Sequence, residues 1–443
     1  GYAELVGRRV ALWHGDVVQS ARRGILREPP DILLTTPESI EVMLTSPNTD
    51  HRVLFQGLRT LIVDEVHAFA GDDRGWHLLA VAERLSHLVG RDLQRLGLSA
   101  TVGNPLTLLD WLAGSSQGAR AVVTPEGSPT ISGASGDPAS GRVDRIRTEG
   151  VELDYVGSLE NAAHVIARLH RGEKRLVFCD SRSRVEELAV LLRAARVNTF
   201  VSHSSLGLDE RRRAEEAFAQ GRDAVIVATS TLELGIDVGD LDRVVQIDAP
   251  ATVASFLQRL GRTGRRPGTE RNCLFLTTTR DAFLQAAGLL QLWSEGYVEP
   301  VVPPVEPYHI FAQQVMALVL QERGIGRRTW REWIGDMPGF WQLDSGELAG
   351  IIEHMVDSEI LFEDDGILSF GTEGERRFGY RHFMDIVTVF TGDPLFAVRS
   401  GRADLGYVHP LSFVTRNEAV PILLLAGRSW VVTHIDWKER VAY

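Results

Sequence analysis

The chain has 443 residues, of which 44% are hydrophobic and 24% are charged, and its formal net charge at pH 7 is −12. This composition is that of a globular protein with an ample core, and the length predicts roughly three or four domains. Because no run of about 18 apolar residues occurs, we expect no membrane span. The acidic balance argues against a protein that coats nucleic acid by charge alone, but it is compatible with a locally basic groove.

The two cysteines, Cys179 and Cys273, lie in apolar strand-like runs and match no metal-binding spacing. We therefore expect reduced thiols in the core, which is typical of a cytoplasmic protein.

The first part of the chain alternates apolar strands with helices. Strand patterns occur within residues 5–13 and at 32–34, 58–63 and 96–99, and apolar spacing predicts a helix over 75–89. This alternation predicts a parallel sheet covered on both faces, in which the carboxyl ends of the strands bind ligands.

Residues 124–142 are rich in glycine, serine and proline, which predicts a linker or a mobile loop. A second α/β region follows, and its elements can be read from apolar runs and spacing. The predicted strands are 176–178, 224–228, 243–247 and 274–276, and the predicted helices are 184–194 and 281–293.

The remainder of the chain changes character. Three helices followed by a hairpin around Asp364-Asp365-Gly366 suggest a winged helix. The predicted helices are 310–321, 329–334 and 345–358, and the hairpin is 360–370. Strand patterns at 387–390, 397–398 and 430–432 then suggest the opening of a β-rich domain.

Asp64 and Glu65 directly follow an apolar strand, and His67 lies two residues further on. Hydrolysis of a nucleoside triphosphate needs one carboxylate that holds Mg²⁺, usually through water, and a second group that orients the attacking water. Asp64 suits the first role and Glu65 the second. The alternative is a solvated acidic turn, which the strand context and the Ser99-Ala100-Thr101 sequence make the weaker interpretation.

Arg262 and Arg265 lie three residues apart in a glycine-flanked loop, and Gln258 precedes them. Arginine side chains neutralise the charge on transferring phosphate oxygens, so we expect both to act on the phosphates and Gln258 to couple to the same site. The alternative is a basic surface loop.

Ser99 and Thr101 follow a predicted strand. They suit a relay that couples His67 and the nucleotide to domain closure, or a cap for a helix that begins near Pro105.

Three further segments place hydroxyl groups after strands. Within residues 228–237, Thr229 and Ser230 suit contacts with the phosphates of a nucleic-acid strand, and Gly235 and Asp237 suit contacts with the nucleotide ribose. The alternative is a cap where a strand leads into a helix. Thr36, Pro37 and Glu38 open a helix whose free N–H groups favour a backbone phosphate, although Pro37 is also ordinary first-turn chemistry. Ser204, which lies in the second α/β region, would contact the nucleic-acid strand.

Together these strings resemble the large helicase-related (Lhr) family of superfamily 2 motors. The strings that carry the resemblance are Asp64-Glu65-Val66-His67-Ala68-Phe69, Ser99-Ala100-Thr101-Val102-Gly103, residues 230–237, residues 258–266, Tyr380-Arg381-His382-Phe383 and Gly427-Arg428-Ser429-Trp430.

The resemblance implies an α/β protein with two RecA-like parallel-sheet domains, a winged helix and a β-barrel-containing strand clamp. On this basis we expect four domains, namely 1–124 (RecA-like domain 1), 125–297 (RecA-like domain 2), 298–385 (winged helix) and 386–443 (start of the clamp domain). No Gly-x-x-x-x-Gly-Lys-Ser/Thr phosphate loop occurs in the sequence. We therefore expect the first domain to be incomplete, with the lysine that grips ATP before residue 1, and the clamp domain to be cut short.

The implied activity is ATP- and Mg²⁺-dependent movement, 3′-to-5′, along single-stranded DNA, with unwinding of DNA or RNA–DNA duplexes. A catalytically inactive nucleic-acid-binding module and a motor subunit of a DNA defence system remain as alternatives.

Overall fold

A computed structural model describes residues 2–15, 17–123, 150–232, 241–266, 268–379, 395–401, 403–413, 422–425, 428–437 and 439–443. Among these residues, no helix is long and apolar enough to cross a lipid bilayer.

The first α/β region contains short parallel strands flanked by helices. From residue 2 to residue 123 the elements are α1 (Tyr2–Leu5), β1 (Val10–Trp13), α2 (Gln19–Arg27), β2 (Ile32–Thr35), α3 (Pro37–Thr45), α4 (His51–Phe55), β3 (Thr60–Val63), α5 (Val66–Ala70), α6 (Asp73–Val89), β4 (Gln94–Gly97) and α7 (Pro105–Ala113). Strand β1 pairs in parallel with β2, and β3 with β4. Helix α6 begins where the Asp72 side chain accepts the Arg74 N–H and ends at Gly90, which adopts the left-handed conformation.

The second α/β region contains one six-stranded parallel sheet. Its elements are β5 (Val151–Tyr155), α8 (Leu159–Arg168), β6 (Lys174–Phe178), α9 (Arg182–Ala194), β7 (Asn198–Ser202), α10 (Leu208–Gln220), β8 (Ala224–Ala228), β9 (Arg243–Ile247), α11 (Val253–Leu260), β10 (Cys273–Thr277) and α12 (Arg280–Ser294). The strand order is β5-β10-β9-β6-β8-β7. Every residue of β8 is buried, as the continuous apolar run of a strand covered on both faces predicts. Cys179 and Cys273 are free and buried, which confirms them as core thiols.

The region after residue 300 is helical and ends in a hairpin. Its elements are α13 (Tyr308–Glu322), β11 (Ile325–Gly326), a π-type turn (Arg331–Gly335), α14 (Pro338–Trp341), α15 (Ser345–Asp357), β12 (Leu361–Asp364), β13 (Ile367–Phe370) and α16 (Thr372–Phe378). Strands β12 and β13 pair antiparallel through Asp365 and Gly366, both at positive φ, so the predicted hairpin is confirmed. The helix predicted at 329–334 corresponds to this short π-helix at Arg331–Gly335.

The last region is rich in strands, as expected. Its elements are β14 (Phe396–Ser400), β15 (Ala403–Val408), β16 (Ile422–Leu425), β17 (Arg428–Val431), β18 (Ile435–Asp436) and β19 (Val441–Ala442). One sheet has the order β15-β14-β19-β18, and β16 pairs antiparallel with β17. The strand predicted at 387–390 lies outside the described residues.

Contacts within the chain divide it into two units. The first contains residues 1–99, 104–125 and 300–391, and the second contains residues 100–103, 126–299 and 392–443. The helical region with the hairpin thus belongs with the first α/β region, and the β-rich region belongs with the second.

A buried polar network joins α13 to α3 and α6 within the first unit. The Arg84 guanidinium lies 2.6 Å from a Glu41 carboxylate oxygen. Its Nη1 donates to the Gln314 side-chain oxygen at 3.0 Å, and its Nε donates to the Gln321 side-chain oxygen at 3.0 Å. The second Glu41 oxygen lies 3.0 Å from His77 Nε2. Burial alone would raise the pKa of Glu41, but Arg84, His77 and Gln314 hold it well below its ordinary value. Because an unpaired buried charge is costly, this network ties the helical region to the first α/β region.

Candidate functional site

Asp64 and Glu65 lie at the carboxyl end of β3. Glu65 adopts the left-handed conformation with φ of 50°, and its N–H donates to Asp64 Oδ1 at 3.0 Å. Such a conformation is uncommon for a residue other than glycine and marks a constrained turn. The turn leaves the Asp64 side chain exposed and the Glu65 side chain half-buried.

His67 connects this turn to the end of β4. Its Nδ1 lies 3.7 Å from Glu65 Oε2 and 3.1 Å from Ser99 Oγ. Burial lowers the pKa of His67, although the carboxylates of Glu65 and Asp64 oppose this shift. His67 is therefore neutral near pH 7, and its ring links Glu65 to Ser99 by polar contacts.

Ser99 and Thr101 do not cap the helix that begins at Pro105. The residue at the cap position of α7 is Asn104, so the capping interpretation is wrong. Ser99 belongs to the first unit, whereas residues 100–103 are grouped with the second. Thr101 is exposed.

Thr36, Pro37 and Glu38 open α3 as expected. The Thr36 hydroxyl caps the helix by accepting the Ser39 N–H at 3.3 Å, and Pro37 occupies the first turn. Arg74 Nε donates to Glu38 at 2.8 Å. Burial opposes the shift, but its own backbone N–H and Arg74 lower the pKa of Glu38. The positive charge of Arg74 thus balances the negative charge of the Glu38 carboxylate.

The loop with Arg262 and Arg265 is held rigidly in the second unit. Thr263 is buried, its hydroxyl donates to the Leu260 carbonyl at 3.1 Å, and it accepts the Asn272 N–H at 2.9 Å. Gly264 has φ of 68°, and a Cβ there would lie 2.7 Å from the Arg271 nitrogen. Only glycine fits this position, so Gly264 is required by the backbone conformation of the loop.

Within the rigid loop, the side chains take different environments. Arg265 is exposed and donates from Nε to the Gly261 carbonyl at 3.0 Å, while Arg262 and Gln258 are half-buried. Arg259 turns inward, donates to Gln246 and lies over the Phe178 ring at 4.8 Å. Arg259 is thus a structural residue beside the functional candidates.

Hydroxyl groups of the second unit also differ in exposure. Ser204 and Ser230 are exposed, whereas Thr229 is buried and its N–H donates to the Ser202 carbonyl at 3.4 Å. Gly235 and Asp237 lie outside the described residues.

A magnesium ion fits the chemistry of Asp64. Among the described residues, no group of three His, Cys, Asp or Glu side chains forms a metal cage. One exposed carboxylate at a strand end is nevertheless compatible with Mg²⁺, because the ion keeps several waters and is also held by substrate phosphates.

The sequence interpretation missed partners that lie far apart in the chain. The Arg74–Glu38 pair spans 36 residues, and the Glu186–His203 pair, with 2.8 Å between Glu186 Oε1 and His203 Nε2, spans 17 residues. Glu186 and Glu187 both lie in α9, so the sequence alone does not indicate which of them pairs with His203.

Two family matches coincide with the two α/β regions. Residues 2–108 match the DEAD/DEAH box helicase family, and residues 157–267 match the helicase conserved C-terminal domain. The first match contains Asp64, Glu65, His67 and Ser99, and the second contains Ser204, Gln258, Arg262 and Arg265. The two α/β regions are therefore two RecA-like domains, similar to those of superfamily 2 helicases.

The more particular similarity is to Lhr helicases, which confirms the resemblance seen in the sequence. The chain is 33% identical over 361 residues to the Lhr helicase/uracil glycosylase of Escherichia coli, covering 70% of this chain and 23% of that protein. A solved structure of Mycobacterium smegmatis helicase Lhr bound to ssDNA and AMP-PNP has a TM-score of 0.70 and 30% identity, covering 85% of this chain and 50% of that chain.

The helicase MrfA, bound to DNA and AMPPNP, has the same fold, with a TM-score of 0.71 at 19% identity, covering 99% of this chain and 59% of that chain. The chain spans between about a quarter and a half of the length of the curated relatives it matches.

Proposed function

We propose that this chain is the core of an ATP-dependent helicase that moves 3′-to-5′ along single-stranded DNA and unwinds DNA or RNA–DNA duplexes. The observation that carries the proposal is the Asp64, Glu65, His67 and Ser99 arrangement at the carboxyl ends of β3 and β4, inside the DEAD/DEAH box match. Parallel sheets bind ligands at this edge, and the two adjacent carboxylates suit hydrolysis of a phosphoanhydride.

In the first unit, Asp64 would hold Mg²⁺ through water, and Glu65 would orient the water that attacks the terminal phosphate. The ion supplies positive charge that neutralises the phosphate oxygens. The left-handed turn at Glu65 supports these roles, because it fixes the carboxylate relative to Asp64 without help from a ligand. A neutral His67 would transmit changes in the position of Glu65 to Ser99. Ser99 and Thr101 would then couple the state of the bound nucleotide to domain closure.

In the second unit, Arg262 and Arg265 would neutralise the phosphate charge that develops during transfer, with Gln258 contributing to the same site. The rigid backbone at Thr263 and Gly264 supports this role, since pre-organised donors act without reorganisation. We further assign Gly235 and Asp237 to the nucleotide ribose.

Strand contacts would come from both units. We assign Thr36, Pro37 and Glu38 in the first turn of α3 to the strand through the Thr36 hydroxyl, because Pro37 has no N–H and the Ser39 N–H already donates to Thr36. The pairing of Glu38 with Arg74 reduces its repulsion of a phosphate. Exposed hydroxyls at Ser204 and Ser230 would bind backbone phosphates directly, whereas the buried Thr229 would act through its position beside Ser230.

The test is ATP hydrolysis with and without single-stranded DNA, on this chain and on the chain extended upstream to include any phosphate loop. We expect hydrolysis stimulated by DNA in the extended form, because strand binding organises the residues that act on ATP. Equal rates with and without DNA would contradict this coupling. Strand binding without hydrolysis in both forms would favour a non-catalytic binding module.

Direction and duplex type need a separate measurement. The substrates are duplexes with a single-stranded tail at either the 3′ or the 5′ end, and the displaced strand is either DNA or RNA. The tail distinguishes the two directions of movement, and the displaced strand distinguishes the two duplex types. We expect unwinding only from the 3′ tail and for both duplex types. Unwinding from the 5′ tail would contradict the proposed direction.

A further inference from the structure

The turn between β7 and α10 presents one hydroxyl to solvent. Ser204 is exposed, whereas its neighbours Ser202, His203, Ser205 and Leu206 are all buried. The turn lies at the carboxyl end of β7, where parallel sheets bind ligands. The orientation of the Ser204 side chain therefore depends on the contacts that hold its buried neighbours in place.

One constraint comes from inside the second α/β region. His203 Nε2 lies 2.8 Å from Glu186 Oε1 on α9, and both side chains are at most 3% exposed. A buried polar pair of this kind fixes the geometry of its members, because a lost partner leaves an unsatisfied group away from water. The pair thus fixes the backbone directly before Ser204.

A second constraint comes from the β-rich region, about two hundred residues further along the chain. The Tyr407 N–H donates to the Ser205 carbonyl at 2.5 Å, and the Gly207 N–H donates to the Leu405 carbonyl at 3.2 Å. Between these bonds, Leu206 and Gly406 form an antiparallel bridge. The turn is therefore paired with β15 on the side directly after Ser204.

Glycine at position 406 is required for this pairing. Gly406 has φ of 140°, and a Cβ there would lie 1.9 Å from the Ser205 carbonyl oxygen and 2.8 Å from the Leu206 Cα. Both neighbouring atoms are backbone, so a side chain at 406 would push β15 and the turn apart. Leu206 and Leu405 also share one hydrophobic cluster with α8 and α9, which keeps β15 in place.

We infer that β15 and the Glu186–His203 pair are positioning elements that hold Ser204 against a backbone phosphate of a bound single strand. The β-rich region thereby contributes to strand binding through the second α/β region. This inference rests on the proposed function, from which the contact of Ser204 with the strand is taken.

The test is a double-mutant cycle on the affinity of the full chain for a fluorescent oligo(dT) strand at fixed salt. Ser204→Ala and Gly406→Ala should each weaken binding roughly three- to tenfold, as loss of one hydrogen bond does. The double variant should bind no more weakly than either single variant, because both changes remove the same contact. Gly401→Ala is the matched control, since Gly401 also has positive φ in the β14–β15 hairpin but has no neighbour within 4 Å. It should bind like the wild type.

A second pair of variants keeps the test decisive if Gly406→Ala unfolds the chain. Glu186→Ala should weaken binding, and Glu186→Gln, which retains an acceptor for His203, should restore it to within about twofold. Melting curves for all variants separate lost binding from lost folding.

Three outcomes would overturn the inference while the wild type still binds the strand. These are additive losses in the cycle, unchanged binding by folded Gly406→Ala and Glu186→Ala, or unchanged binding by Ser204→Ala. Failure of the wild-type chain to bind oligo(dT) at any salt concentration would instead count against the proposed function as well.

Discussion

The parallel strands of the two α/β regions differ in how they are buried. In the second region, β6 and β8 are covered on both faces, and Leu176 is completely buried. In the first region, each strand has at least one exposed large apolar residue, including Leu12 at 52% and Ile62 at 61%. The same kind of strand sequence is therefore packed on both faces in one region and mainly on one face in the other.

Among the described residues, the strands of the two regions are therefore covered to different extents, although the helices of the first region also bury an apolar cluster. The second region obtains its stability from the sheet itself, since apolar burial is the dominant favourable term in folding. The first region has fewer buried strand residues, and a buried network around Arg84 joins it to α13. We therefore expect polar substitutions to affect the first unit most and apolar truncations to affect the second unit most.

Arg84→Met should cause the largest loss. It removes the partner of Glu41 and leaves a buried carboxylate unpaired, which costs about 3–5 kcal/mol. Hydrogen exchange measured during denaturant titration should show the loss in α3, α6 and α13, with α9 and β8 unaffected. The matched control is Arg52→Met, because Arg52 also pairs with α13, through Glu322, but is 61% exposed at its side chain. It should cost less than about 1 kcal/mol. Equal losses for the two variants would contradict the role of the network.

Leu176→Ala should cost slightly less, about 2–5 kcal/mol, since it leaves a cavity in a fully buried strand. The counterpart in the first region, Ile62→Ala, should cost less than about 1 kcal/mol because its side chain is mostly exposed. Denaturant unfolding of each variant measures both values. A loss for Ile62→Ala as large as that for Leu176→Ala would remove the contrast between the sheets.

Acidification should weaken the first unit by a smaller amount. The pKa of Glu41 is lowered in the folded state from an ordinary value of 4.5. A lowered folded pKa gives stability that is present above the ordinary value and lost as the pH falls, here by about 1 kcal/mol near pH 4. Hydrogen exchange in α3 and α6 at several pH values checks this. Stability that rises between about pH 5 and pH 4 in these helices would contradict the sign.

The sequence predicts the strongly apolar elements well. Strand β8 has the predicted bounds because it is an uninterrupted apolar run, and β9 has them because its Val244, Val245 and Ile247 are β-branched. A strand before Ser204 was expected, but the bounds of β7 were not predicted, since Asn198, Thr199 and Ser202 give it a mixed pattern. The association of α13 with the first α/β region also escaped prediction, because Gln314 and Gln321 are polar residues that usually face solvent.

Of the candidate site, the sequence supplies the local strings but not their supports. Asp64, Glu65 and His67 are recognised because these three residues lie within four positions after an apolar strand, and the structure adds the contact of His67 with Ser99. The supports of the Ser204 turn come from Glu186 and Gly406. Neither is adjacent to Ser204 in sequence, so no local pattern identifies them.

The measurement that tests the central claim most directly is DNA-stimulated ATP hydrolysis by Glu65→Gln in the chain extended to include any phosphate loop. The amide keeps the size of the side chain but loses the charge that would orient the attacking water. We predict that turnover is abolished while affinity for single-stranded DNA is retained. Turnover equal to that of the wild type would contradict the role of Glu65 and with it the assignment of this site to ATP hydrolysis.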